Sequence, residues 1–99
     1  MTAYVVSDVH VHDPDRFAAY LAAVPGVLER HGVEYVVRGG APMQLEGSWD
    51  TRRLVILRFR DREHVRQWYT SPDYQELVAL RAGAAEVSAV VVDGAEGAD

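Results

Sequence analysis

Arg38–Phe59 reads RGGAPMQLEGSWDTRRLVILRF, and the fold is decided there. Arg38 closes one strand pattern, Gly39-Gly40 offers a turn or bulge, and Leu54–Phe59 is the most strand-like run in the chain. Both faces of that run are mostly apolar: Val55, Leu57 and Phe59 on one, Leu54, Ile56 and Arg58 on the other. That pattern suits a central strand, covered on both sides, here expected over Arg53–Arg60. Met43–Glu46 is expected to be short and extended, and Gly47–Thr51 to be a loop.

Working outward toward the N-terminus, Val33–Arg38 is a second strand, and Gly32 before it suits a left-handed helix cap. Phe17, Leu21, Val24, Leu28 and His31 recur at helical spacing, with Tyr20 beside them. Asp13-Pro14 starts this helix as cap and first helical residue. Pro25 falls inside the pattern and predicts a kink or break near Leu21–Pro25. Ala3–Val11 alternates as a strand.

Toward the C-terminus, Asp61 caps a helix whose inner face is Val65, Trp68 and Tyr69. Ser71-Pro72 restarts the chain as cap and first residue of a helix carrying Tyr74, Leu77, Val78 and Arg81. Val87–Asp93 is the last strand, and Gly94–Asp99 is expected to fray.

The order is βαββαβ, an α+β, ferredoxin-like sandwich with a four-stranded antiparallel sheet. Residues 1–94 make a single domain, and 95–99 a disordered tail. Right-handed crossovers put the first and third strands at the centre. Two helices can cover only one face of four strands. An apolar open face predicts a second copy laid over it, giving a homodimer with sheets face to face, a dimeric α/β barrel.

Composition bounds the function. Ninety-nine residues suffice for one core, and 48% hydrophobic with 25% charged residues is ordinary for a globular chain. The formal charge of −5 disfavours nucleic acid and anionic membrane as partners. Cysteine is absent, which excludes disulfides and thiolate sites, and every basic residue is Arg. Met1–His10 does not read as a secretory leader, and no apolar run approaches the ~20 residues that span a bilayer. A cytoplasmic location is expected.

Asp13-Pro14 with Phe17 and Tyr20, Arg38-Gly39-Gly40, Leu45-Glu46-Gly47-Ser48-Trp49, Arg53, and Trp68-Tyr69 with Ser71-Pro72 and Tyr74 running to Arg81 form one combination. It resembles the family called domain of unknown function 1330, of the dimeric α/β-barrel class. His10 and His12 depart from the pattern. The resemblance implies the fold and the dimer and no activity. Proteins of the same architecture include cofactor-free monooxygenases, lactone isomerases and haem-degrading enzymes, but a shared fold does not assign chemistry.

The residues that could carry chemistry are Arg38, Glu46, Arg53, Trp68, Ser71, Tyr74 and Arg81. Arg81 shares the apolar stripe of Tyr74 and Leu77, so its guanidinium needs a carboxylate, an anion or water. In a cleft between sheet and helices, Arg38, Arg53 or Arg81 would hold a substrate anion, with Trp68 as a wall and Ser71 nearby. Glu46 would transfer protons and Tyr74 would donate a hydrogen bond. That reads as a small-molecule-binding protein, in its catalytic form a cofactor-independent isomerase, lyase or monooxygenase acting on a small organic acid or aromatic compound. The competing reading is a non-catalytic dimer in which Arg38, Glu46, Arg53 and Arg81 form an ion-pair network. Ser71 reads better as a cap than as a nucleophile.

Asp8, His10 and His12 alternate onto one strand face, and His-x-His can chelate a divalent ion. The enzymes that use such a strand need a full barrel of roughly 250 residues. No metal or other cofactor is expected. His31 is expected at a helix end, and His64, in a first turn, to be exposed.

Overall fold

In a computed structural model of the chain, residues 1–97 are described. The elements are β1 (Ala3–Val11), α1 (Pro14–Arg30), β2 (Glu34–Gly40), β3 (Leu54–Phe59), α2 (Arg62–Tyr69), α3 (Pro72–Arg81) and β4 (Ala85–Asp93), followed by a 3-10 turn over Ala95–Gly97. The sheet order is β2-β3-β1-β4, all neighbours antiparallel. It is the ferredoxin-like α+β fold, with β1 and β3 at the centre.

The helices start and stop by local chemistry. The Asp13 carboxylate accepts from the Arg16 N–H at 3.1 Å, and Asp61 accepts from the His64 N–H at 2.8 Å. At the end of α1, Gly32 takes φ +68°. Its N–H donates to Glu29 O (3.1 Å), and the Val33 N–H reaches Leu28 O (2.9 Å). This is a Schellman cap, with Leu28 and Val33 both buried beneath it. Pro25 does not break α1, which runs unbroken from Pro14 to Arg30. The N–H that proline lacks forfeits one helical bond, and burial of Val24, Val27 and Leu28 on either side holds the helix together.

Alternation on β1 sends Ala3 and Val5 into a core with Val24, Val27 and Leu28 of α1, Leu57 and Phe59 of β3, Val65 and Trp68 of α2, and Tyr74 and Leu77 of α3, and sends Val9 into a second cluster with Phe17 and Ala84. All three helices therefore cover one face of the sheet. Tyr4, Val6, Asp8 and His10 point the other way, in register with Arg58, Ile56 and Leu54 of β3 and with Val92, Val90, Ser88 and Glu86 of β4. Among the described residues no helix covers that face, and Val90 and Val92 stay 59% and 42% exposed.

β2 does not close at Arg38 but runs to Gly40, and of the turn or bulge that Gly39-Gly40 offered the structure forms the bulge. The register steps from Arg38↔Val55 to Gly40↔Leu54, leaving Gly39 as a bulge residue at φ +68°, a backbone region that favours glycine. A second step at Val36 doubles the distortion of this edge strand. Met43–Glu46 is not a strand: residues 41–53 form an irregular, mostly exposed arm. The arm is tied back at its end where the Asp8 carboxylate accepts from the backbone N–H groups of Arg52 (3.0 Å) and Arg53 (3.4 Å). The first of these contacts does most to hold the Asp8 pKa below its ordinary value.

β4 begins two residues earlier than expected, at Ala85. The expected tail starts with order: Glu96 accepts from the Thr2 N–H at 2.7 Å, and Gly94 N–H donates to Thr2 O at 2.8 Å. Residues 98 and 99 of that tail lie outside the described residues. His64 is not exposed but 4% accessible. Its Nδ1 accepts from the Arg60 N–H (3.1 Å), and its Nε2 donates to His31 O (2.5 Å), so the ring ties two chain segments together. Among the described residues no helix is long and apolar enough to cross a membrane.

Candidate functional site

The single helical layer leaves a cavity of about 580 Å³ between itself and the sheet. Its floor is the inward face of the strands, including Val5, Ser7, Val9, Val55 and Leu57, and its roof comes from α1, α2 and α3. The helical spacing of α1 places Phe17, Tyr20 and Val24 over it. Phe17 and Tyr20 stack with ring centroids 5.1 Å apart.

On α3 the Ser71 cap sets the first turn. Ser71 Oγ accepts from the Tyr74 N–H (3.3 Å) and donates to Trp68 O (2.6 Å), which joins the end of α2 to the start of α3. Tyr74 is thereby pressed against Trp68, ring centroids 4.1 Å apart, and Trp68 against Phe59 at 5.2 Å. Seven residues on, Arg81 returns to the same helix face, with its guanidinium 5.4 Å from the centre of the Tyr20 ring.

The polar centre is the Tyr20–Tyr74 pair, hydroxyls 3.2 Å apart, with Arg81 beside it. Burial, and then the neighbouring Tyr74, push the Tyr20 phenol well above its ordinary pKa, so it stays protonated. Burial acts against the Arg81 charge, but the hydroxyls of Tyr74 and then Tyr20 outweigh it and hold the guanidinium above its already high value. Tyr35, also on the lining, is raised by burial, with Arg38 and Arg53 opposing. Two buried donors, Trp68 Nε1 and Arg81 Nε, have no acceptor among the described residues.

Four of the seven residues singled out from sequence meet at this cavity: Arg53, Trp68, Tyr74 and Arg81. Arg38 lies outside it, exposed, its guanidinium 4.7 Å over the Tyr35 ring. Ser71 acts as a helix cap. Glu46 is not near the others: it sits exposed on the 41–53 arm, beside Pro42, Met43 and Trp49, with its carbonyl accepting from the Gln44 side chain. Nor does the protomer by itself form the ion-pair network of the competing reading. Among the described residues none of Arg38, Glu46, Arg53 and Arg81 makes an ion pair; the carboxylates within reach of guanidiniums belong to other pairs, such as Asp73 with Arg30 and Asp93 with Arg62.

Sequence reasoning passed over Tyr20 and Tyr35 as site residues. The available signal for Tyr20 was a phenol placed beside an apolar helical stripe, whose hydroxyl must find a partner once buried. His10 pairs with Asp8 at 3.2 Å on the open sheet face, and His12 approaches Glu86 at 3.6 Å in solvent. No group of three or more metal-ligating side chains occurs among the described residues.

Comparison with known proteins places these features. The family described as domain of unknown function (DUF1330) matches residues 2–95. A protein of unknown function from Rhodopseudomonas palustris is similar in structure, with TM-score 0.72 and 21% identity over 94% of this chain and 82% of that one. A dimeric ferredoxin-like protein of unknown function from Jannaschia sp. CCS1 gives TM-score 0.71 at 12% identity, over 95% of this chain and 100% of that one. A variant of SnoaB, a cofactor-independent oxygenase from Streptomyces nogalater, gives TM-score 0.68 at 15% identity, over 95% and 93%. At these identities the likeness is one of fold. No curated protein matches the chain.

Proposed function

This chain belongs to the family described as domain of unknown function 1330, and we propose that it binds a small, largely apolar organic molecule in the cavity between sheet and helices. The observation that carries this reading is the cavity itself: about 580 Å³, walled mainly by aliphatic and aromatic side chains, with a polar cluster of Tyr20, Tyr74 and Arg81. A flat ligand would lie against Trp68 and Tyr74 and hydrogen-bond to the phenol pair. In its catalytic form the reading is a cofactor-independent isomerase, lyase or monooxygenase, with Tyr74 and Tyr20 as hydrogen-bond donors to a developing oxyanion. The fold it shares with SnoaB is compatible with that form.

Binding without turnover is the second reading, and one observation favours it. Among the described residues the cavity lining includes no carboxylate and no imidazole side chain, so its wall offers no conventional general base.

The test is titration with phenylnaphthylamine, a neutral fluorophore. It should saturate at one site per chain, and Leu21→Trp, which fills the cavity from its partly exposed wall, should abolish binding. Absence of binding, or binding untouched by that change, would remove the reading.

The open sheet face fits a second copy of the same chain. Val6, Ile56, Val90 and Val92 share it by register, and an apolar face of that kind is costly to leave in water. Sedimentation should report two chains per particle at micromolar concentration, and Val90→Lys should shift the particle toward one. A wild-type monomer would overturn the dimer and leave the cavity reading in place.

A further inference from the structure

Resting on that reading, we infer that the cavity is built for an organic anion, and that the bulge at Gly39 exists to deliver the Arg53 guanidinium to it.

The argument begins with charge. The chain carries a formal charge of −5, yet among the described residues the ionisable side chains on the cavity lining are guanidiniums and phenols. Four Arg reach it: Arg53, Arg62, Arg66 and Arg81. Arg62 is neutralised by Asp93 at 2.9 Å, and Arg66 approaches Glu63 at 3.7 Å. Arg53 and Arg81 have no acidic partner among the described residues. Both are partly buried, and a guanidinium withdrawn from water without a counter-ion is unfavourable. Trp68 Nε1 and Arg81 Nε add to an excess of donors over acceptors. A ligand that satisfies this wall brings negative charge and acceptor oxygens on an apolar body: a carboxylate, sulfonate, enolate or phenolate.

Arg53 lines the cavity with its guanidinium packed on the edge strand. A Cβ built on Gly39 would stand 2.5 Å from Arg53 Cζ and from one of its terminal nitrogens, so the guanidinium rests directly on bare glycine backbone. The register step that makes Gly39 a bulge, together with its φ of +68°, opens that seat. Gly39 is thus a positioning residue acting through Arg53. The clash falls on the far end of a flexible side chain, so Gly39→Ala displaces the guanidinium, and at φ +68° it also strains the strand.

The experiment compares two fluorophores of similar shape on the intact protein: anilinonaphthalenesulfonate, an anion, and neutral phenylnaphthylamine. The wild type should prefer the anion. Arg53→Met and Arg81→Met should each weaken anilinonaphthalenesulfonate about tenfold or more, with phenylnaphthylamine held within about twofold. Gly39→Ala should copy Arg53→Met in direction, and Arg53→Lys should restore part of the loss. Equal binding of the anion by wild type and Arg53→Met, with neutral binding intact, would overturn the inference and spare the cavity. If neither probe binds the wild type, cavity reading and inference fall together. Arg53 is on the cavity wall outside the buried core, so its variant remains informative should Arg81→Met fail to fold.

Discussion

The hydroxyls of Tyr20 on α1 and Tyr74 on α3 stand 3.2 Å apart across the roof of the cavity, joining residues 54 positions apart in the chain. This contact fastens the first and last helices together where Arg81 packs against Tyr20. Removing one hydroxyl leaves the other short of a partner, while removing both leaves two matched apolar rings. Tyr20→Phe and Tyr74→Phe should each destabilise by about 1 kcal/mol, and the double variant by less than their sum. Urea denaturation of the four proteins measures the coupling; strict additivity would mean that the pair contributes nothing as a pair.

His64 offers a second test, because its burial was not anticipated. Its ring serves the Arg60 N–H with one nitrogen and His31 O with the other. His64→Phe preserves ring volume against Phe59 but strands both backbone groups. A loss of about 2 to 4 kcal/mol is expected. A thermal midpoint equal to that of the wild type would show that water replaces the imidazole.

Glu46 supplies a contrast. It is exposed on the arm, away from the cavity lining. Glu46→Gln should change stability by no more than about 0.5 kcal/mol and leave probe binding unaltered. A marked fall in binding would mean that the arm reaches a site the isolated protomer does not form.

The acid side of the stability profile should carry a mark of Asp73. The Ser71 hydroxyl first, then the His31 imidazole at 3.0 Å, hold its carboxyl well below the usual carboxylate range. A carboxyl whose folded-state pKa is depressed stabilises the fold fully above its unfolded value, about 3.9. That contribution falls away as pH drops through the lower folded value. Asp73→Asn should therefore narrow its gap to the wild type as pH falls below about 4. Denaturant midpoints at descending pH measure this; a gap that widens toward acid would contradict the assignment.

Ser71 separates capping from ligand contact. Ser71→Ala removes the acceptor for the Tyr74 N–H and should cost about 1 kcal/mol. Phenylnaphthylamine affinity should stay within about twofold once the variant is folded, since Ser71 is absent from the cavity wall. A selective loss of binding at full stability would restore it as a ligand contact.

The order of elements, the caps at Asp13, Asp61 and Ser71, the glycine stop at Gly32 and the centrality of β1 and β3 were all readable from the chain. These features rest on interactions spanning a few residues, or on periodicities of two and 3.6, and a linear pattern contains such information whole. Pro25 shows where a local rule yields: the penalty of one lost helical bond is real, but burial on both sides of it decides the outcome.

The site was legible only in part. Trp68, Tyr74 and Arg81 lie on two successive helices, and their shared face follows from spacing, so they were found together. Tyr20 joins them from across the fold, and Glu46, placed among them by its loop, leaves with the arm. Irregular backbone has no period from which a direction can be read. Which helix lies over which, where Arg53 packs on Gly39, and which acids have already been claimed by other guanidiniums are results of packing between distant segments. The amino-acid order determined a sheet with helices on one side. Tertiary structure alone decided that, among the described residues, the hollow between them would hold unpaired positive charge and no acid.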